Sequence, residues 1–308
     1  MTSTVVTERS DDRRRGDGAD PARTGGPRNG PPALSRGTVL ATRVVGVAAV
    51  VGVAFTVWLG LWVTPPDKVQ GNLVRLVYIH PGVAWVALYL AFGLAAVASL
   101  LYLWPRTRSL FWDRLAAAAV EVGVVFNVCT LISGSIWGRP TWGVWWAWDA
   151  RLTSTAALLV LFLGYMALRR VPAEPEVRAK RSAFAALFAA LDVPIVHFSV
   201  VWWKTLHQGA TVLNANLSPT IHGSMAWTLL LGFVALTLVF VWMLLVRYRI
   251  GVLEDWVGSG ELDLALRERQ AEGIAPPTAS AVVLPGPPVP SETPAGREVP
   301  REIAEVAQ

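Results

Sequence analysis

Six long apolar stretches constrain this chain more than anything else in it: about Val44 to Val63, Pro81 to Leu103, Leu115 to Ile136, Leu152 to Leu168, Ala183 to Trp203 and Ile221 to Val246. Each approaches the roughly 20 mostly apolar residues that carry a helix through a bilayer. In lipid a backbone must satisfy itself within helices or a closed barrel, so the expected fold class is all-α, a polytopic membrane protein with six transmembrane helices. With 53% of its residues hydrophobic and 16% charged, the chain is not an ordinary soluble domain.

Lys and Arg set the orientation, because cytoplasmic loops carry the excess of positive charge. Arg36, Arg43, Arg106, Arg108, Arg114, Arg169, Arg170, Arg178, Lys180, Arg181, Arg247 and Arg249 fall on one side of the six spans, against Lys68, Arg75, Arg139, Arg151 and Lys204 on the other. Both termini are therefore expected in the cytoplasm. The first apolar block follows a polar leader and has no small-residue cleavage site, so it should remain as the first span. The expected organisation is a disordered cytoplasmic leader over residues 1–36, a transmembrane domain over 37–250 with an outer tryptophan-rich loop at 137–151, and a largely disordered cytoplasmic tail over 251–308. The net charge of +5 follows from this topology and the arginine-rich leader. It gives no reason to expect nucleic acid, whose binders cluster basic residues on a folded face; membrane lipid is the expected surrounding.

Threading the spans with both ends inside leaves three outer loops, Thr64 to His80, Trp137 to Arg151 and Lys204 to Thr220. The middle one holds the densest chemistry. Trp137, Trp142, Trp145, Trp146 and Trp148 are five of the chain's 15 tryptophans, far more crowded than the spread of an interfacial aromatic belt. His80, just before Pro81, is expected at the outer mouth of the second span, since proline suits a first helical position and pushes its predecessor towards an extended conformation. His207 follows Trp202-Trp203-Lys204, with Gly209 available to end the fifth helix. Two histidines thus flank one indole-rich loop.

This set matches the parts of haem. Indole faces of Trp142, Trp145, Trp146 and Trp148 can stack on a planar macrocycle. His80 and His207 can ligate the iron from opposite faces, and Arg139 and Arg151 can pair with the propionates. Asp149 is read as the N-cap of the fourth helix and as an orienting group. His197, inside the fifth span, is read as bundle interior with Glu121 or Asn127 as its partner, and His222 is a competing ligand at the outer start of the sixth span. Cys129 is the one cysteine; with no C-x-x-C-H the chain cannot hold haem covalently as a c-type cytochrome does, so haem b bound transiently is the expected cargo. No P-loop is present, and the chain is read as a non-enzyme.

The run Trp-Gly-Val-Trp-Trp-Ala-Trp-Asp-Ala-Arg-Leu-Thr-Ser, Trp142 to Ser154, resembles the signature of CcmC, the tryptophan-rich-motif haem-handling family of cytochrome c maturation. Tyr78-Ile79-His80-Pro81 resembles the family's first histidine site, and Asp192 to Ser199 through Trp202 to Gln208 its second. The likeness spans about Val44 to Tyr248. The related CcmF and CcsA proteins share the tryptophan-Asp core but continue differently after it, and Ala150 to Ser154 favours CcmC. The resemblance implies His80 and His207 as axial ligands, the tryptophan loop as an outer haem platform, and as partners the haem chaperone CcmE, the small protein CcmD and the ATP-driven pair CcmA and CcmB. Two rival readings stay open: a transporter carrying haem through the bundle past Glu121, Asn127, Asp192 and His197, and a membrane cytochrome b.

Overall fold

The computed structural model describes residues 35–207 and 221–274; the leader, the segment 208–220 and the tail from 275 lie outside the described residues, and so do the expectations of disorder that fall on them. Six helical runs are long and apolar enough to cross a membrane: Arg36–Val63, Asn72–Leu103, Leu110–Trp142, Ala150–Arg170, Pro175–Trp202 and Gly223–Gly260. The described residues contain helices and turns, with one isolated bridge between Asp67 and Gly71. The all-α, six-span reading stands.

The first span is α1 (Arg36–Trp58), prolonged by a π turn at Leu59–Val63. Ser35 caps it, its hydroxyl accepting the Thr38 amide at 3.1 Å. The second begins with a 3-10 turn, Asn72–Tyr78, and continues through α2 (His80–Trp85), a π segment (Val86–Phe92) and α3 (Gly93–Leu103). The third is α4 (Leu110–Trp142), the fourth α5 (Ala150–Arg170). The fifth is broken into α6 (Pro175–Ala190) and α7 (Asp192–Trp202), where Pro194 has no amide to continue the ladder. The sixth lies in α8 (Gly223–Ile274).

The core sits where the second span, α4, α5 and α6 meet. Val86, Ala91, Phe92, Ala119, Val120, Leu158 and Phe162 are fully buried there, and Phe92 stacks on Phe162 with ring centroids 3.8 Å apart. Small residues allow that approach: a Cβ on Gly123 would come within 2.7 Å of both Ala91 and Phe92. Arg249 donates to the Thr38 carbonyl at 2.5 Å, so the start of the first span and the end of the sixth share one end of the bundle. The same end holds the ion pairs Arg169–Asp113, Arg114–Asp255 and Arg247–Glu121. It is the arginine-rich end that the charge bias assigns to the cytoplasm.

Three boundaries differ from the sequence reading. Helix α4 runs to Trp142, so the irregular part of the tryptophan loop is 143–149 and Trp137, Arg139 and Trp142 are helical. Its 33 residues make a rod about 50 Å long at 1.5 Å per residue, against about 30 Å of hydrocarbon, and hydropathy registers only the part inside lipid. Pro140 costs this rod a single bond in its last turns. His80 is the first residue of α2 and not an extended residue ahead of it, because the preceding 3-10 turn already delivers the chain in helical conformation. Residues 251–274 are helical, and Glu254 and Asp255 pair with Arg247, Arg114 and Arg178. Arg114 and Arg178 are remote from Asp255 in sequence and composition cannot reveal them. By contact the chain divides at Gly258 into a unit holding the bundle and a second unit whose described part, 259–274, is helical.

Candidate functional site

At the end of the bundle opposite the ion pairs, α4 stops at Gly143, whose φ of +82° forms a left-handed cap with its amide on the Arg139 carbonyl. An L side chain would be strained there, so this glycine is what turns the tryptophan loop out of the helix. The Trp142 indole folds back along α4 over Gly138, where a Cβ would come within 2.9 Å of its ring.

The two expected ligand histidines both pack on this end of α4. His80 meets Trp137 edge-on with ring centroids 5.8 Å apart, and His207 meets Trp142 at 4.9 Å. Trp137 and Trp142 are both in the last turns of α4, which brings the two histidines to the same end of that helix. Each has its Nδ1 engaged. Ser133 gives its hydroxyl proton to the Cys129 carbonyl at 2.7 Å, so its oxygen can only accept from His80 Nδ1, 2.9 Å away. Gly134 makes room, since a Cβ there would lie 3.1 Å from His80 Cε1. His207 Nδ1 lies 3.3 Å from the Asp149 carboxylate, an acceptor. Both rings are thereby fixed in the tautomer that leaves Nε2 unprotonated, the state an imidazole needs to bind a metal.

Asp149 does three things at once. Oδ1 accepts the Leu152 amide at 2.8 Å and caps α5, while Oδ2 holds both the Leu206 amide and His207. With its side chain 7% exposed, it ties the loop after α7 to the loop after α4. Burial pushes the His207 imidazole below its usual range, and the Asp149 hydrogen bond opposes this without reversing it.

The remaining predicted residues divide. Trp145 and Trp148 are 61% and 84% exposed, free to present ring faces. Trp146 packs edge-on against Trp148, and its Nε1 is buried without an acceptor among the described residues. The Arg139 side chain is exposed on α4 and has no hydrogen bond or ion pair among the described residues. Arg151 instead turns to the fifth span, donating to the His197 carbonyl at 2.9 Å and towards Ser199 at 3.4 Å. The propionate role expected of Arg151 therefore competes with a structural one. His197 bonds Tyr89 on the π segment, not Glu121 or Asn127; Glu121 takes Arg247, and Asn127 donates to the Thr155 carbonyl at 3.3 Å. His222 is exposed next to Gly223, whose φ is +62°. The fifth helix ends at Trp202 without using a glycine, and Gly209 lies outside the described residues. Sequence reasoning missed Ser133, Gly134, Gly138 and Tyr89. A Ser-Gly pair one turn before Trp137 was the only signal available for the first two.

These features define a polytopic helical membrane protein with a histidine- and tryptophan-lined site at one end. The profile of the family described as heme exporter protein C, CcmC, matches residues 30–261, and the chain belongs to that family. Heme exporter protein C of Haemophilus influenzae is 36% identical over 215 residues, covering 69% of this chain and 81% of the relative. That of Bradyrhizobium diazoefficiens is 38% identical over 204 residues, 66% and 76% of the two chains, and that of Escherichia coli K12 is 35% identical over 183 residues, 59% and 72%. With six spanning helices, this is a multi-pass protein of the inner membrane.

Proposed function

We propose that this chain binds haem b non-covalently on the outer face of the inner membrane, between His80 and His207, and passes it to the haem chaperone CcmE for c-type cytochrome assembly. Membership of the heme exporter protein C family gives the haem-handling role in cytochrome c maturation. The observation that carries the finer reading is the pair of imidazoles on one end of α4, each with Nδ1 committed and Nε2 left for iron. Trp145 and Trp148 offer open ring faces for the macrocycle, while the Arg139 guanidinium and the Trp146 indole N–H are donors for the propionates. Haem is cargo here, and an exposed site whose ligand arms come from different loops lets one axial ligand leave in exchange for a ligand on the acceptor. In this reading CcmD and the CcmA and CcmB pair are the other partners, and any ATP-derived work enters through them.

Of the four residues of the rival route through the bundle, Glu121 and His197 are engaged by protein neighbours, while Asn127 donates to Thr155 but keeps its Oδ1, and Asp192 its Oδ2, buried without a partner among the described residues. The test is to purify the protein from haem-replete cells and record absorption and electron paramagnetic resonance spectra. Wild type should carry haem with bis-imidazole signals, and His80→Ala and His207→Ala should each lose the bis-imidazole signature and most of the haem. Unchanged haem content and signals in both variants would refute the ligand assignment.

A further inference from the structure

The arginine-rich end of the bundle contains a cavity of about 480 Å³ between α4, α5, α6 and α8, and none of the haem chemistry uses it. Five guanidiniums line it, but three are already committed. Arg169 grips Asp113 through two nitrogens at 2.5 and 3.0 Å, Arg247 holds Glu121 and Glu254, and Arg114 lies 2.6 Å from Asp255. Those pairings use every carboxylate that faces the cavity.

Three donors are left over. Arg178 reaches Asp255 only at 3.5 Å, and its Nε is buried with no acceptor among the described residues. Arg170 has no side-chain partner among the described residues. Tyr165 is 2% exposed, lines the cavity, and its hydroxyl proton finds no acceptor among the described residues. A buried donor without an acceptor is costly; Arg178 Nε and the Tyr165 hydroxyl are two such donors among the described residues, and with the exposed Arg170 beside them they call for an anion.

We propose that this cavity binds the phosphate of an anionic phospholipid headgroup. A macrocycle is a poor occupant, because the walls offer one tyrosine ring, Met166 and two alanines where the outer site offers several indoles. A tetrahedral phosphate, by contrast, suits planar guanidinium donors and a phenol. The location agrees: basic pockets between helices at the cytoplasmic face are where acidic headgroups dock. A bound headgroup would bridge α5 and α6 through Tyr165, Arg170 and Arg178.

The full-length protein in a neutral maltoside detergent tests this, with thermal unfolding and native mass spectrometry as readouts. Dioleoylphosphatidylglycerol should raise the melting temperature and remain as an adduct, whereas dioleoylphosphatidylcholine should do so far less. Arg178→Gln and Tyr165→Phe should each weaken apparent phosphatidylglycerol binding, the arginine variant by about tenfold, the scale of one charge-assisted hydrogen bond. The charge-matched Arg106→Gln, at an exposed position outside the cavity, should not. Inorganic phosphate reproducing the stabilisation at millimolar concentration would make the occupant a soluble phosphate in the same site. Equal phosphatidylglycerol binding by wild type, Arg178→Gln and Tyr165→Phe, or an equal loss in Arg106→Gln, would overturn the proposal.

Discussion

Asp149 and His207 are joined at 3.3 Å through Oδ2 and Nδ1 while the other oxygen of the same carboxylate caps α5 at the Leu152 amide. The cap makes the carboxylate immobile, and the immobile carboxylate fixes which imidazole nitrogen carries the proton. Asp149→Asn separates the two tasks, since asparagine caps a helix as well as aspartate does but can turn its amide N–H₂ towards Nδ1 and force the opposite tautomer. Haem retention should fall about 10- to 100-fold, the usual cost of losing a partner behind a metal-binding histidine, while the melting temperature stays close to wild type. Asp149→Ala should lose the haem and, with the cap, about 1 kcal/mol of stability. Retention equal to wild type in Asp149→Asn would remove the orienting role.

Ser133 performs the matching service for His80. Ser133→Ala takes away the one acceptor that His80 Nδ1 has among the described residues, leaving the ring free to rotate or to change tautomer. The expected result is a loss of haem content of about tenfold with broadened low-spin signals, and recovery in Ser133→Thr, which keeps the hydroxyl. Gly134→Ala presses on the same ring from a Cβ 3.1 Å from Cε1 and should shift the low-spin signals without removing the haem. A merely structural role for Ser133 would lower the melting temperature and leave the spectrum of the bound fraction unchanged.

Acid should release the cargo, and the position of that transition is set by His207. A proton and iron compete for Nε2. Burial holds this imidazole below its usual 6.5, so the folded protein resists the proton that the unfolded chain would accept. The sign is that stability starts to fall as the pH drops through 6.5, and haem retention falls with a midpoint on the acid side of that value. A release midpoint above 6.5 in the wild type, measured by Soret absorbance against pH, would contradict this arrangement.

The sequence revealed most about what the bilayer imposes. The six spans were legible because lipid demands runs of apolar residues, and the tryptophan loop because no belt crowds indoles so densely. Asp149 as a cap was legible too, because capping is local. What escaped was set by contacts between distant segments. Ser133 and His80 are 53 residues apart, Tyr89 and His197 108 apart, and no periodicity links them. His197 was matched to polar groups of similar depth, but depth does not decide which way a side chain faces, and its partner is a tyrosine on an irregular turn. The turn of Arg151 away from the loop towards α7 has the same origin. Helix α8 outlasts its hydropathy because Asp255 meets arginines from two other helices, Arg114 of α4 and Arg178 of α6, while Glu254 pairs with Arg247 two turns back on α8 itself.

The pair Arg169–Asp113 offers a test of what holds the arginine-rich end together. Asp113 has a side chain only 3% exposed and faces Arg169 through two parallel hydrogen bonds. Removing one partner strands a charge in a site built to neutralise it, so Asp113→Ala should cost about 3–5 kcal/mol. Replacing both with apolar residues of similar volume, Asp113→Leu with Arg169→Met, leaves no stranded charge and should restore most of the loss, since buried pairs often add little beyond such a replacement. Chemical denaturation in detergent measures both variants. If the double variant is as unstable as Asp113→Ala, the pair does more than neutralise itself, and Arg169 supports Tyr165, whose ring lies 5.8 Å from its guanidinium carbon.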